Sequence, residues 1–287
     1  MTTLKNPHAH FDDKLQASFE QNILAALLED VGTGDLTGML VPDDTRVTAR
    51  VIVREAAVLC GAPWFEGLML AVDQDTEIEW HYAEGDLMTA DSAVCTIRAN
   101  PRSLLTAERG ALNFMQLLSG VATATRRYVD VIAGTRAAIL DTRKTLPGLR
   151  LAQKYAVRVG GGKNQRMALY DGILIKENHI AAAGGVSAAL KAAADLNSGA
   201  PVQIEVETIA QLEEALNAGV KSVLLDNFDL QGMVEAVKLN AGRALLEASG
   251  GISIDTVRAI AETGVDRISI GSLTKDVRAT DYSLRII

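Results

Sequence analysis

The chain has 287 residues, 48% of them hydrophobic, with a formal net charge of −8. That length allows a large core in one or two domains, and the acidic balance argues against nucleic acid as a main partner, because phosphate-backbone binding needs a broad basic face. There is no apolar run of about 18 residues and no apolar secretory core in the start MTTLKNPHAHFDDK, while two cysteines without CxxC spacing suit a reducing compartment, so a cytoplasmic protein without a membrane segment is expected.

His8 and His10 precede the first patterned segment and are poor metal candidates. From about Asp12 to Asp30, Leu15, Phe19, Ile23, Leu24, Leu27 and Leu28 recur at helical spacing, which predicts one helix face. The glycine-broken loop EDVGTGDLT follows. RVTARVIVREAAVLCG and TEIEWHYAEGDLMTADSAVCTIRAN read as β-rich, with a turn at Glu84-Gly85-Asp86 and a helix in WFEGLMLAV between them. After Pro101, SLLTAERGALNFMQLLSGVATATRRYVDVIAG is long and helical, with a break predicted near Ser119-Gly120.

Downstream, AAILDT, DGILIKEN, PVQIEVE, KSVLLDN, RALLEASG and DRISIGS are strand candidates. TIAQLEEALNAG, DLQGMVEAVKLNAG and SIDTVRAIAETG have helical period and end at glycine. Each strand-plus-helix unit takes roughly 20 residues, the size of a βα unit in a parallel barrel. The pattern predicts an α+β region over 1–114 and an α/β barrel of parallel strands, closed or incomplete, over 115–272, with the tail 273–287 able to return to the first region.

Barrel active sites lie at the carboxyl ends of strands. Those ends hold Asp141-Thr142-Arg143-Lys144, Lys176, Glu205 with Glu207, Asp226, Glu247 with Ser249-Gly250-Gly251, and Gly271-Ser272. From Arg143 to Lys176 there are eight basic residues and one acid, so this segment carries +7 and the remainder −15. Such a segment is ordinarily a solvated face. Here Arg143, Lys144 and Lys176 stand where strands end, which favours a pocket for a small, highly charged anion. Glu205 and Asp226 on successive strands can hold Mg²⁺, bond ribose hydroxyls or stabilise a developing positive carbon. The glycine loops after the last strands suit a phosphate. VGGGKNQR lacks the first glycine of a Walker loop, GTGDLT lacks the third glycine of a dinucleotide fingerprint, and no Ser-His-acid spacing stands out.

ERGALNFMQLLSGVAT, DTRKTLPGLR, KYAVRVGGGKNQR, LIKENHI, IEVE, LLDNF, EASGGI and IGSLTKD, together with LLEDVGTGDLT, stand in an order that resembles the quinolinate phosphoribosyltransferase family over nearly the whole chain. The resemblance implies an N-terminal α/β-sandwich domain followed by an open α/β barrel. It also implies a pentosyltransferase of NAD biosynthesis that joins quinolinate to phosphoribosyl pyrophosphate with Mg²⁺, releasing pyrophosphate and CO₂. The family's homodimer, alone or within a larger assembly, implies a site shared between subunits, with Arg109 lent by the neighbour. Thr142, Arg143, Lys144, Arg166 and Lys176 would receive the anions. Glu205 and Asp226 would face ribose and metal, and Ser249, Gly250, Gly251, Ile270, Gly271 and Ser272 would hold the phosphate end. Lys144, Glu205 and Asp226 are the implied catalytic groups. Where the family usually reads Asn-His-Arg, this chain reads Asn164-Gln165-Arg166. Gln keeps an amide donor but carries no charge, which leaves open a relative with another acceptor, of the type found with molybdenum transport. Two further readings follow from the residues: a barrel aldolase using Lys144 or Lys176 as a Schiff base, and a phosphosugar sensor that releases no pyrophosphate.

Overall fold

A computed structural model describes residues 11–43 and 45–287, so His8 and His10 lie outside the described residues. The first helix, α1 (Asp13–Asp30), starts where Asp12 accepts a hydrogen bond from the Leu15 N–H at 2.8 Å. Leu15 and Ile23 are buried, but Leu24 and Leu28 are 58% and 66% exposed. The predicted apolar face is therefore wider than the face this chain covers.

The chain divides into two units. One holds the described residues up to Arg126, Thr145–Gly161 and Thr274–Ile287; the other holds Arg127–Lys144 and Gly162–Leu273. A cut at residue 114 falls inside a helix, α3 (Pro101–Val131), and the segment 145–161 groups with the first unit although it lies between barrel strands in sequence.

In the first unit, β1 (Val47–Val53), β3 (Glu77–Trp80), β5 (Ala93–Ala99) and β12 (Tyr282–Ile286) form an antiparallel sheet in the order β12-β1-β5-β3. β2 (Ala57–Val58) pairs with β4 (Leu87–Met88). The inward residues Ala49, Val51 and Val53 of β1 are fully buried, as strand alternation requires. The core adds α2 (Ala62–Val72) and α4 (Arg150–Val159), whose Trp64 and Tyr155 rings lie 5.4 Å apart.

The predicted break at Ser119-Gly120 is absent: α3 runs through it. These two small residues mark a crossing instead. The Ser119 hydroxyl accepts from the Cys60 N–H at 3.0 Å and bonds the Tyr282 hydroxyl at 2.8 Å. A Cβ on Gly120 would strike the Arg278 carbonyl. Glycine here serves close approach of the returning C-terminal segment, and the helix ladder tolerates it.

The second unit is a six-stranded parallel sheet. Its strands are β6 (Ala138–Leu140), β7 (Ile173–Ile175), β8 (Val202–Val206), β9 (Ser222–Asp226), β10 (Leu245–Ser249) and β11 (Arg267–Ser269), in the order β6-β11-β10-β9-β8-β7. The first strand in sequence thus pairs with the last, as in a barrel, while the edge strands β6 and β7 do not pair among the described residues, and Leu140 of β6 instead bridges Lys163 ahead of β7. The barrel is open there. Helices α5 (Glu177–Ala183), α6 (Val186–Asp195), α7 (Ile209–Asn217), α8 (Leu230–Asn240) and α9 (Val257–Glu262) fill the connections from β7 to β11, and α10 (Ser272–Lys275) follows β11. Among the described residues no helix is long and apolar enough to cross a membrane.

Candidate active site

Parallel strands bring their carboxyl ends to one mouth, so residues distant in sequence meet there. Thr142 and Lys144 follow β6, and the Lys144 N–H donates to Thr142 Oγ1 at 3.0 Å. Gly271 follows β11, the neighbour of β6: a Cβ built on it would lie 3.0 Å from Lys144 Cδ and 3.6 Å from Thr142 Oγ1. The lysine stem lies across this glycine, with its Nζ within 3.8 Å of the same point. Ile270 donates its N–H to the Leu140 carbonyl at 2.9 Å, which locks the two strand ends together.

Across the sheet, Lys176 follows β7 and its Nζ lies 3.1 Å from Glu205 Oε2 at the end of β8. Burial pushes the Glu205 carboxyl above its ordinary range, the Asp226 and Glu177 charges push the same way, and Lys176 opposes them. Glu205 and Asp226 therefore sense one another at the ends of adjacent strands. Asp226 accepts from Asn227 Nδ2 at 2.8 Å. Glu207, one turn of the alternation further, is exposed.

The loops after β9 and β10 are conformationally special. Asn227 has φ +56°, Gly250 +104° and Gly251 +57°. The Asn227 N–H donates to the Ser249 carbonyl at 3.1 Å, and a Cβ on Gly250 would collide with Asn227 Oδ1. Gly250 is required both by its backbone angle and by this close approach.

Arg143 and Arg166 are neighbours: burial, then the Arg143 charge, lowers the Arg166 pKa. Arg166 Nη1 donates to the Gly172 carbonyl at 2.8 Å, just ahead of β7. The structure thus brings Thr142, Lys144 and Gly271 into one group, Lys176, Glu205 and Asp226 into a second, and Arg143 beside Arg166. Ser249 and Gly250 abut Asn227, and Ser272 opens α10. Arg109 is an exposed residue of α3 in the first unit. Three of the basic residues counted from the sequence, Arg150, Lys154 and Arg158, belong to α4 in that unit; Lys154 is fully buried.

Two family models match the chain: the N-terminal domain of quinolinate phosphoribosyl transferase over residues 33–119 and its C-terminal domain over residues 121–285. The chain belongs to the quinolinate phosphoribosyltransferase family. A solved nicotinate-nucleotide pyrophosphorylase from Francisella tularensis is 42% identical and superposes with a TM-score of 0.92 over 94% of this chain and 96% of that one. The nicotinate-nucleotide pyrophosphorylase [carboxylating] of Mycobacterium leprae is 41% identical over 91% of this chain and 95% of its own length. A mitochondrial quinolinate phosphoribosyltransferase [decarboxylating] of Nicotiana tabacum is 40% identical over 91% of this chain and 80% of its own.

Within this quinolinate phosphoribosyltransferase fold, sequence reasoning named Asp141, Asn164, Gln165 and Glu247 but missed Gln203 and the network that these residues form inside the barrel. Asp141 is fully buried and accepts from Asn164 Nδ2 and from the Gln165 N–H at 2.9 Å. Gln165 Nε2 donates to Gln203 Oε1 at 2.7 Å, and Gln203 Nε2 to Glu247 Oε2 at 2.9 Å. Glu247 is buried, and its Oε1 has no hydrogen-bond donor among the described residues. Burial raises its pKa first, against the Gln203 bond. The signal available in the sequence was alternation: Gln203 and Glu205 share one face of β8, and that face points into the barrel. Asn227 was detectable only from its positive φ.

Proposed function

We propose that the chain is a quinolinate phosphoribosyltransferase [decarboxylating], which makes nicotinate mononucleotide, pyrophosphate and CO₂ from quinolinate and phosphoribosyl pyrophosphate in NAD biosynthesis. The observation that carries the reading is the mouth itself. Lys144 lies against Gly271 at one side, and Lys176 is paired with Glu205 beside Asp226 at the other. Cations and carboxylates thus converge where a phosphosugar and a dicarboxylate would have to meet.

Both substrates are anions that repel one another in water. Arg143, Lys144, Arg166 and Lys176 offset that repulsion, and the planar guanidinium suits bidentate carboxylate or phosphate contacts. Thr142 and the backbone N–H groups of Ser249, Gly250, Gly251, Gly271 and Ser272 serve the phosphate oxygens, while Ile270, whose N–H is taken by the Leu140 carbonyl, fixes the strand end that carries Gly271. The pyridine nitrogen attacks ribose C1′ as the C1′–O bond to pyrophosphate breaks. Glu205 and Asp226 stabilise the positive charge that develops on the ribose. The ring, now cationic, accepts the electron pair when the neighbouring carboxylate leaves as CO₂, and that ring carbon then takes up a proton. No covalent bond to the protein forms, and positioning supplies much of the rate.

Mg²⁺ fits the donors present. Glu205 and Asp226 are adjacent hard oxygen donors, no group of three or more metal-binding side chains occurs among the described residues, and Mg²⁺ ordinarily takes one or two carboxylates with water and phosphate oxygens completing the shell. When bound, it would neutralise the pyrophosphate leaving group.

The functional unit is a homodimer in which Arg109 reaches the partner's site. Arg109 and Leu105 are exposed on α3, and Leu24, Leu28, Leu36, Met39 and Leu40 are exposed large apolar residues of the same unit, which supports a subunit contact there. Free, buried Cys60 and Cys95 suit a cytoplasmic setting. Release of both CO₂ and pyrophosphate from quinolinate and phosphoribosyl pyrophosphate is the expected result. Turnover with nicotinate but not quinolinate would assign Gln165 to a different acceptor and overturn the reading.

A further inference from the structure

A second opening of the barrel unit lies away from the catalytic mouth. A cavity of about 840 Å³ lies at the amino ends of the strands, bounded by the residues that begin β7 to β11. Thr142, Arg143, Lys144, Lys176, Glu205 and Asp226 do not line it; Leu140 at the end of β6, Asn164, Gln165, Arg166 and Gln203 do. Its cations are Lys163, Arg166, Lys221 and Arg267, and its one acid is Asp171. The Asp171 carboxylate is already engaged, accepting from the N–H groups of Met167 at 2.7 Å and Ala168 at 2.9 Å. Lys163, Lys221 and Arg267 form no ion pair among the described residues. Glu247, buried inside the barrel, feels the Arg267 charge. In a chain of net charge −8, four cations against one acid lining a single cavity is an anion-binding arrangement.

The wall is mixed. Leu190, Val202 and Leu245 line it as well, so an apolar ring can be covered while its charged group meets the cations. The volume falls within the range of about 300–1,000 Å³ usual for small-molecule sites. A single carboxylate would leave most of the positive charge unmatched, whereas a phosphate monoester brings about −1.5 to −2. We propose that this amino-end cavity binds a small organic phosphate of mononucleotide size, its phosphate among Lys163, Lys221 and Arg267 and its ring against the apolar wall. Gln165 and Gln203 line the same cavity, and the Gln165 N–H is held by Asp141, one residue before Thr142. The cavity and the catalytic mouth therefore share a polar wall.

Isothermal titration calorimetry at low salt tests this with adenosine 5′-monophosphate and adenosine as probes. The proteins are the full chain, the double variant Lys163→Ala/Lys221→Ala, and Lys144→Ala as the catalytic-mouth control. Both lysines of the double variant are exposed, so the fold should persist, and circular dichroism checks it. The monophosphate should bind wild type and Lys144→Ala alike, bind the double variant about 10-fold or more weakly, and out-compete adenosine. Three results would overturn the site: no monophosphate binding at millimolar concentration, affinity lost in Lys144→Ala but kept in the double variant, or adenosine binding as tightly as its phosphate. The readout is binding, so it stands apart from whether the chain turns over quinolinate.

Discussion

Replacing Gly250 by Ala tests the catalytic mouth through its backbone. Gly250 follows β10 with φ +104°, and its Cα faces the Asn227 side chain so closely that a Cβ would overlap Asn227 Oδ1 and lie 3.1 Å from the Asn227 nitrogen. An L-residue held in the left-handed region costs about 1–2 kcal/mol, and forcing a methyl into filled space costs about 1–3 kcal/mol more. The expected loss is about 2–5 kcal/mol if the loop holds, and less where Asn227 turns away. Turning away breaks the 2.8 Å bond from Asn227 to Asp226, so turnover should fall even where the loop relaxes. Urea unfolding gives the first quantity and pyrophosphate release the second. The double variant Gly250→Ala/Asn227→Gly separates the terms. It removes the overlapping oxygen and should recover the steric part of the stability while leaving the backbone part. A Gly250→Ala protein within about 0.5 kcal/mol of wild type, the scale of a neutral surface change, would show that neither the angle nor the overlap constrains this loop.

Mixing Arg109→Ala with Lys176→Ala subunits, each inactive alone, should restore about a quarter of wild-type activity after full exchange, because half the dimers are then hybrids with one intact site; no recovery with exchange confirmed refutes the shared site. In Lys176→Ala the Glu205 carboxyl loses its one lowering partner, so its titration, followed by carboxyl NMR, should move to higher pH, and an unchanged curve would mean the ion pair is not formed in solution. Glu84 is buried and held at about 7 by desolvation, against bonds from the Gly61 and Ala62 N–H groups and the Tyr155 hydroxyl. Its folded value lies above the ordinary carboxyl value, so its contribution is present in full below that ordinary value and is lost as pH rises toward 7, by up to about 3 kcal/mol. Glu84→Gln should flatten that fall in a thermal-midpoint series, and an identical slope would place the titration elsewhere. Gly120→Ala should cost about 1–3 kcal/mol in urea unfolding by pressing on the Arg278 carbonyl, and a neutral result would show that the C-terminal segment does not pack there.

Periodicity located all six barrel strands, from AAILDT to DRISIGS, because short aliphatic runs followed by helix and glycine admit few other folds. It also placed Lys144, Lys176, Glu205 and Asp226 at one end, since parallel strands share a direction. Tertiary structure decided what periodicity does not encode. Ser119-Gly120 looked like a helix break and is a crossing point, because local sequence does not record which distant backbone passes close by. Leu24 and Leu28 looked like core and stand exposed, because a helical stripe fixes which side is apolar but not how much of it this chain covers. The Gln165–Gln203–Glu247 chain and the strained meeting of Asn227 with Gly250 join segments separated by 23–44 residues. Strand order and register set such contacts, and both are fixed only when the whole sheet has closed.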